Sequence, residues 1–534
     1  MGGSGFPLAR LVLADGAVLD LDAKATRASP ATLGPLSGWI EDGGGLAIRN
    51  TADSGPPVTF VGLWGVYADG RAPILPGARP GLPVVADAAE GALWIVIPPE
   101  QRKAVLAGVP DSAAYHILLA GETLLVSDHF GDLPDAERVA TVAAWLAEGY
   151  DLDAFNRWPL LRKVLSFYGA APRDDGGPPG DPTHDIGWWM TPTYYVERTR
   201  DTVRPVEGWV LGTDTQWGDG LSNGHYDRDI AFVLKFLLTG DPVAYKLGLE
   251  ICRQRVAMGM NWSGPKAGAF VWEKGWSRRG IEQGAGIVRR ADWEKQWIPG
   301  TWAFRDLSGD PLLTEAIELH GQWLMSVSPT AWQSCWGARR PARMIEELLV
   351  YARRTGEQMY LDRALAWGRD AIRWQRADGT WANRCAPGTE KPWQQAQLVE
   401  SLRHLSQIDG SADLAQAASL GAHAIAERGG YARGDYWAMR TLWTGETTIP
   451  SLTCYMVPVA RILVELHPGE GEYADLLARV ERTAYETIGV LWGEADAGKL
   501  HTAETLGFDA LSMWGGRGGA APKWWLKIIE STRR

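Results

Sequence analysis

Two short segments gather side chains that can move protons. NGHYDRD (223–229) places His225, Tyr226, Asp227 and Asp229 within one and a half helical turns, and ADWEKQW (291–297) sets Glu294 between Trp293 and Trp297. Asp227 and Glu294 form a candidate general acid/base pair, because a bond flanked by two carboxyls can be protonated from one side and attacked through the other. Glu294 carries an added expectation: a carboxyl against indole faces loses hydration, which raises its pKa towards that of an acid working near neutral pH. His225 and Tyr226 would position the reactant. Asp229, together with Asp214, Trp217 and Asp219 of the preceding loop LGTDTQWGDGLSNG, would line the site. The same aspartates also have a purely local reading, in which Asp227 or a neighbour caps the following helix and complements its dipole. Asp214 and Asp219 then serve ordinary turns. Residues 331–376 hold nine Arg against five Asp/Glu, so Arg339 and Arg343, with Arg340 and the upstream Arg289 and Arg290, offer a local anion site. Helix-face arginines of this kind are otherwise solvated or ion-paired.

The 534 residues are 46% hydrophobic, 22% charged and 10% aromatic, which excludes disorder, collagen and coiled coil and leaves room for two or three domains. Tryptophan stands out at 28 residues, of which only Trp39, Trp64, Trp94 and Trp145 fall in the first 150. Those 150 residues carry nine Lys/Arg and 17 Asp/Glu, so most of the net charge of −11 lies there. An acidic front part is thus joined to a Trp-rich, nearly neutral body. The charge disfavours nucleic acid as a partner. Cys252, Cys335, Cys385 and Cys454 are far apart and read as free thiols rather than as a zinc ribbon or disulfide framework. Nine histidines form no HExxH, His501 and Glu504 being the nearest approach to a ligand pair, and neither GIEQGAG nor WGGRGGAA fits a phosphate-binding loop. No metal and no cofactor is expected. MGGSGFPLARLVLADG lacks a basic segment followed by an apolar one, and no run approaches about 18 apolar residues, so no membrane association is expected. The expected location is cytoplasmic or on a phage particle, or outside the cell if MGGSG is an expression scar. A homo-oligomer is left open.

These side chains need elements to hold them. Residues 6–130 show short Val/Ile/Phe/Trp/Tyr-rich runs between Gly, Pro, Asn and Asp, the pattern of an antiparallel sandwich. From DLPDAERVATVAAWLAEG onwards the period turns helical, with Asp132 or Asp135 as N-cap. The stretch APRDDGGPPGDPTHD (171–185) is loop. Beyond residue 220, five amphipathic pairs each turn at a glycine, Gly240, Gly309, Gly356, Gly410 and Gly469. Helix, left-handed glycine, helix is an αα-hairpin. The irregular spacing and the long Trp/Gly inserts favour closure into a ring over an open solenoid, with a sixth hairpin drawn from residues 136–210.

The segments GHYDRDIAFVLKFLLTGDP (224–242) and ADWEKQWIPGTWAFRDLSGDP (291–311), with the tryptophans between them, resemble the six-hairpin, or (α/α)6-toroid, superfamily of carbohydrate-active enzymes. A sandwich before a toroid is similar to the layout of its YetA-like and rhamnogalacturonan exolyase group. The likeness spans roughly residues 130–520 in architecture, and no active-site motif matches residue for residue. It implies an α+β multidomain chain: an N-terminal antiparallel β-sandwich (1–135), then an (α/α)6 toroid of αα-hairpins (136–534) that carries the catalysis. It also implies a poly- or oligosaccharide substrate, cleaved by acid/base hydrolysis with inversion the more usual route. Insert tryptophans, Trp393 among them, become sugar platforms. The alternative on the same scaffold is a lyase acting on a uronate-containing glycan, with His225 and Tyr226 as base and acid and Arg290, Arg339 and Arg343 binding the carboxylate. A non-catalytic glycan-binding or phage-tail component is the third reading.

Overall fold

The computed structural model describes residues 7–13, 17–21, 24–40, 46–52, 58–67, 85–87, 92–95, 116–118, 123–126, 133–158, 161, 194–199, 202–207, 215–217, 220–222, 227–241, 244–245, 248–249, 252–253, 255–256, 260–262, 264–272, 290–291, 293–294, 296–330, 337–383, 388–440, 442–443, 450–485 and 531–533.

In the N-terminal part the apolar runs become strands, all paired antiparallel. β1 (Pro7–Leu13), β2 (Val18–Leu21), β6 (Val58–Tyr67), β7 (Val85–Asp87), β8 (Ala92–Ile95) and β9 (His116–Leu118) share one sheet, ordered β2-β1-β6-β8-β7 with β9 also on β6. β3 (Ala31–Leu33), β4 (Leu36–Ile40), β5 (Leu46–Asn50) and β10 (Thr123–Val126) form a second, ordered β10-β5-β4-β3. This part is tied to the helices through two arginines: Arg49 lies 4.8 Å from the Trp39 ring centre and 4.2 Å from that of Trp262, and its Nη1 reaches Glu315 at 3.4 Å. Arg27 pairs with the same carboxylate.

The helical body opens with α1 (Ala136–Gly149), capped by Asp135, whose Oδ1 accepts from Arg138 N at 2.8 Å, and the short α2 (Ala154–Arg157). Then come α3 (Arg228–Thr239), α4 (Pro299–Ser308), α5 (Pro311–Ser326), α6 (Arg339–Thr355), α7 (Gln358–Arg373), α8 (Pro392–Asp409), α9 (Ala412–Arg428), α10 (Met456–Leu466) and α11 (Gly471–Tyr485). Every glycine read as a turn has positive φ: 70° at Gly240, 73° at Gly309, 71° at Gly356, 74° at Gly410 and 101° at Gly469. The first four donate their N–H back to the helix they end. In SGDP (308–311) the stop and the restart are four consecutive residues, since Asp310 caps α5 by accepting from Leu312 N at 2.8 Å and Pro311 takes the first turn.

The first helix of each hairpin packs beside the next: α3 on α4, α6 on α8, α8 on α10, with Glu347 of α6 accepting the Ile298 N–H ahead of α4 at 3.0 Å. Two glutamines repeat one device. Gln296 clamps the backbone N–H and C=O of Phe270 at 2.9 Å each, and Gln395 does the same to Trp381 at 3.3 and 2.8 Å, so each insert is pinned to the start of the helix it precedes. Among the described residues, 150–158 and the C-terminal segment 531–533 pack together against the last hairpin. Asp151 N donates to Thr532 O at 2.6 Å, and Tyr485 Oη donates to Ser531 O at 3.2 Å. Arg533 stands over the rings of Tyr150 and Trp297 and lines one cavity with residues of α6, α8 and α10. An open array, in which each repeat meets only its neighbours, gives no such common centre. A single hydrophobic core runs from Trp39 through all these helices to Tyr485. No helix among the described residues is long and apolar enough to cross a membrane.

Candidate active site at the centre of the ring

The wall between α3 and α4 holds the first group of expected residues. Asp227 caps α3, Oδ1 accepting from Ile230 N at 3.2 Å, while its Oδ2 accepts from Gly300 N in the first turn of α4 at 2.9 Å. One carboxylate thus serves two helix N-termini. Only glycine permits it, because a Cβ at Gly300 would stand 2.4 Å from Asp229 Cβ and 2.5 Å from Asp227 Oδ1. Asp227 is 0% exposed, and burial together with the Asp229 charge pushes its pKa up to about 6. Asp229 pairs with Arg255, also fully buried, at 2.6 and 2.7 Å. That guanidinium also donates to Trp297 O at 2.8 Å and to Thr301 Oγ1, and stacks 4.5 Å from the Phe270 ring centre. The capping reading of Asp227 is therefore present in the geometry, and both aspartates lie within the wall rather than on an open face.

At the mouth, Glu294 reaches Arg339 at 3.5 Å instead of standing alone among indoles. Arg339 Cζ lies 5.6 Å from the Trp393 ring centre, Trp393 stacks on Tyr455 at 5.7 Å, and Arg340 stands 5.3 Å over Trp293. Trp293 and Trp393 are partly exposed. Trp297 is not: it is 0% exposed, and the Arg343 guanidinium covers it at 3.2 Å. Trp297 was expected to touch substrate, and its burial makes it a floor for Arg343 instead. Trp217 and Arg290 fall in two-stranded pairings, Thr215–Trp217 with Gly220–Ser222 and Val271–Trp272 with Arg290–Ala291, of which the backbone alone is described. His225, Tyr226, Asp214 and Asp219 lie outside the described residues.

Below the mouth is a cavity lined by Arg343 and Glu346 of α6, Gln397, Glu400 and Ser401 of α8, Cys454, Tyr455 and Pro458 at the start of α10, and Ser531 and Arg533. Helical spacing puts them there: Arg339, Arg343 and Glu346 follow one face of α6, as Trp393, Gln397, Glu400 and His404 follow one face of α8. His404 Nδ1 lies 2.9 Å from Glu346 Oε1. Burial pushes Glu346 up, but the charge and hydrogen bond of His404, with Arg533 and Arg343, outweigh it and hold this carboxyl well below the usual range. Burial likewise pulls His404 down, and Glu346 and Glu400 more than compensate, so its pKa rises. Glu400 goes the other way. Burial, aided by the Glu346 charge, pushes it up to about 7, and its buried Oε1 has no hydrogen-bond partner among the described residues. Glu347, facing α4 instead of the cavity, is pushed by burial up to about 8 in spite of Arg343 at 3.3 Å.

The sequence reading did not single out Glu346, Glu400, His404 or Arg533. A signal was present: Glu346 precedes Gly356 by ten residues, and Glu400 precedes Gly410 by ten. Equal offsets from the turn put them at the same depth on consecutive inner-type helices. Counting back thirteen residues instead finds Arg343 and Gln397, which line the same cavity, and fifteen finds Gln395, which clamps Trp381. Nothing in the sequence marks Arg533.

No family model matches the sequence, and no curated protein matches it. Solved structures similar to the chain include an unsaturated glucuronyl hydrolase from Bacillus sp. GL1 responsible for degradation of glycosaminoglycan, at 11% identity and TM-score 0.42, covering 70% of this chain and 96% of that one. A D-mannose isomerase aligns at 11% identity and TM-score 0.41 over 67% of this chain and 96% of its own. A polysaccharide lyase aligns at 10% identity and TM-score 0.38 over 93% of this chain and 87% of its own. All three are carbohydrate-acting by name.

Proposed function

We propose that the chain is a carbohydrate-active enzyme that hydrolyses glycosidic bonds by general acid/base catalysis at the centre of its hairpin ring. Glu400 is the proton donor and Glu346 the ionised partner. The observation that carries this reading is the division of labour in one cavity: His404 and two arginines keep Glu346 ionised, while burial keeps Glu400 protonated up to about pH 7. Two carboxyls with opposed protonation states are what glycoside hydrolysis requires, one to protonate the leaving oxygen and one to direct water or attack the anomeric carbon. The mouth offers a sugar the partly exposed Trp293 and Trp393 for its C–H surface and Glu294 for its hydroxyls. In this reading Asp227 and Asp229 serve the wall, and Glu294 orients substrate without transferring protons.

The test is a panel of neutral and uronate-containing polysaccharides, reading new reducing ends and ultraviolet absorbance together. Reducing ends without absorbance support the hydrolase. The arginines Arg339, Arg343 and Arg533 around the centre favour a second reading, a lyase that neutralises a uronate carboxylate, and absorbance from an unsaturated product would establish it. Sugar binding with neither signal would make the chain a glycan-binding component.

A further inference from the structure

On the outer side of the ring, away from the cavity, two histidines aim at one point. His423 sits on α9 and His467 closes α10, and their Nε2 atoms are 3.0 Å apart. Each ring is fixed from behind. Tyr473 Oη lies 3.2 Å from His423 Nδ1, and Glu470 Oε1 lies 3.3 Å from His467 Nδ1. The turn that presents three of these residues is itself fixed, since His467 N–H donates to Leu463 O, Glu470 N–H to His467 O and Tyr473 N–H to Glu470 O. His467 is 28% exposed, so the point between the rings can be reached from solvent.

Proton bookkeeping defines the state without a ligand. With both imidazoles neutral, the Glu470 carboxylate beside His467 favours the proton on Nδ1, which leaves Nε2 an acceptor. His423 must then donate from Nε2, its Nδ1 accepts, and the Tyr473 hydroxyl donates to it. This assignment follows from the carboxylate at one end of the row of contacts. A single tautomer change at His423 turns both Nε2 lone pairs inward: its proton moves to Nδ1 and is donated to Tyr473 Oη, whose hydroxyl hydrogen rotates away. No net proton leaves.

We infer that His423 and His467 form a binding site for a divalent late first-row transition metal, with Tyr473 and Glu470 holding the two rings from behind. Imidazole that binds metal through one nitrogen characteristically has its other nitrogen facing a carboxylate or another fixed acceptor; Glu470 stands in that place at His467, and Tyr473 takes it at His423 once the tautomer has changed. With metal–nitrogen bonds of about 2.0–2.1 Å, a 3.0 Å separation subtends about 90°, the angle of neighbouring positions in square-planar or octahedral Ni2+ or Cu2+, water completing the shell. Tetrahedral Zn2+ needs the nitrogens about 0.3 Å further apart and is expected to bind more weakly. Among the described residues no group of three or more His, Cys, Asp or Glu is placed to hold a metal, so the site has two protein ligands and is reversible rather than a structural cage. A bound ion would join α9 to the α10–α11 hairpin and stabilise the native ring by linkage.

The experiment titrates the full chain with NiCl2 in a calorimeter, with MgCl2 as the hard-cation control, and repeats the thermal melt with Ni2+ and after chelation. The expected result is one saturable Ni2+ equivalent, none for Mg2+, and a melting temperature that rises with Ni2+ and returns with chelator. His467→Gln and His423→Gln should abolish both effects. Tyr473→Phe keeps both ligands and the ring packing, and should weaken Ni2+ binding about 10- to 100-fold at an unchanged metal-free melting temperature. The inference is overturned by the absence of saturable Ni2+ binding in the unmodified chain, or by binding that survives both histidine substitutions.

Discussion

The ring holds two clusters of buried carboxylates beside arginines, and they are built to opposite ends. In the α3–α4 wall, Asp227, Asp229 and Arg255 are all 0% exposed, and Asp227 has both oxygens on backbone N–H groups of two helices. Between α6 and α8, Glu346 and Glu400 border a cavity, His404 holds Glu346 from behind, and the Oε1 of Glu400 has no hydrogen-bond partner among the described residues. Residue types are nearly the same. What differs is where the unfilled position lies: Asp229 Oδ1 also has no hydrogen-bond partner among the described residues but is sealed inside the wall, whereas Glu400 lies on a cavity and has capacity for a ligand.

Substitutions should separate the two clusters cleanly. The largest loss of stability is expected from Asp229→Ala, which leaves Arg255 buried without its counter-ion at a cost of about 3–5 kcal/mol, read as a lowered urea midpoint. Glu400→Gln should do the reverse, leaving the urea midpoint within about 1 kcal/mol of the parent while lowering turnover about 10²- to 10⁴-fold. Gly300→Ala places a methyl group against Asp227 and Asp229, and should cost about 1–3 kcal/mol by forcing α4 away from the shared cap. The wall also predicts a pH dependence of stability. Asp227 and Glu347 ionise at about 6 and about 8 in the folded chain, against 3.8 and 4.5 unperturbed, so the native state holds the extra protons. Their contribution is complete below the unfolded values and is lost as pH rises through the folded ones, so the melting temperature should fall between about pH 5 and 8. A flat or rising profile would count against the buried carboxyls. The smallest effect is expected at Gly356→Ala, where a side chain at φ 71° costs about 1 kcal/mol without touching the cavity.

The hairpins were legible because a left-handed stop is a glycine with a helix on each side, and all five turn glycines occur where the pattern placed them. Asp135 was legible as a cap for a similar local reason. Two antiparallel sheets were readable from short β-rich runs. The chemistry was harder to read, because local context cannot distinguish Asp227, whose second partner is Gly300 far along the chain, from a carboxylate facing open space. Trp297 looks like a platform in ADWEKQW but is covered by Arg343 from the next hairpin. Glu346 sits in a helix rich in other charges and Glu400 in one with few, and only their equal distance from the turn glycines relates them. Arg533 reaches the centre by tertiary closure alone.

The most direct test of the central claim is the pH dependence of kcat/KM for the unmodified chain beside Glu400→Gln, on whichever glycan of the panel is cleaved. A protonated Glu400 and an ionised Glu346 predict a plateau through mildly acidic pH and a fall above about pH 7. They also predict that Glu400→Gln, folded and as stable as the parent, loses both that alkaline limb and nearly all turnover. Undiminished turnover in Glu400→Gln with the same alkaline limb would contradict the assignment of the central cavity as the site of chemistry.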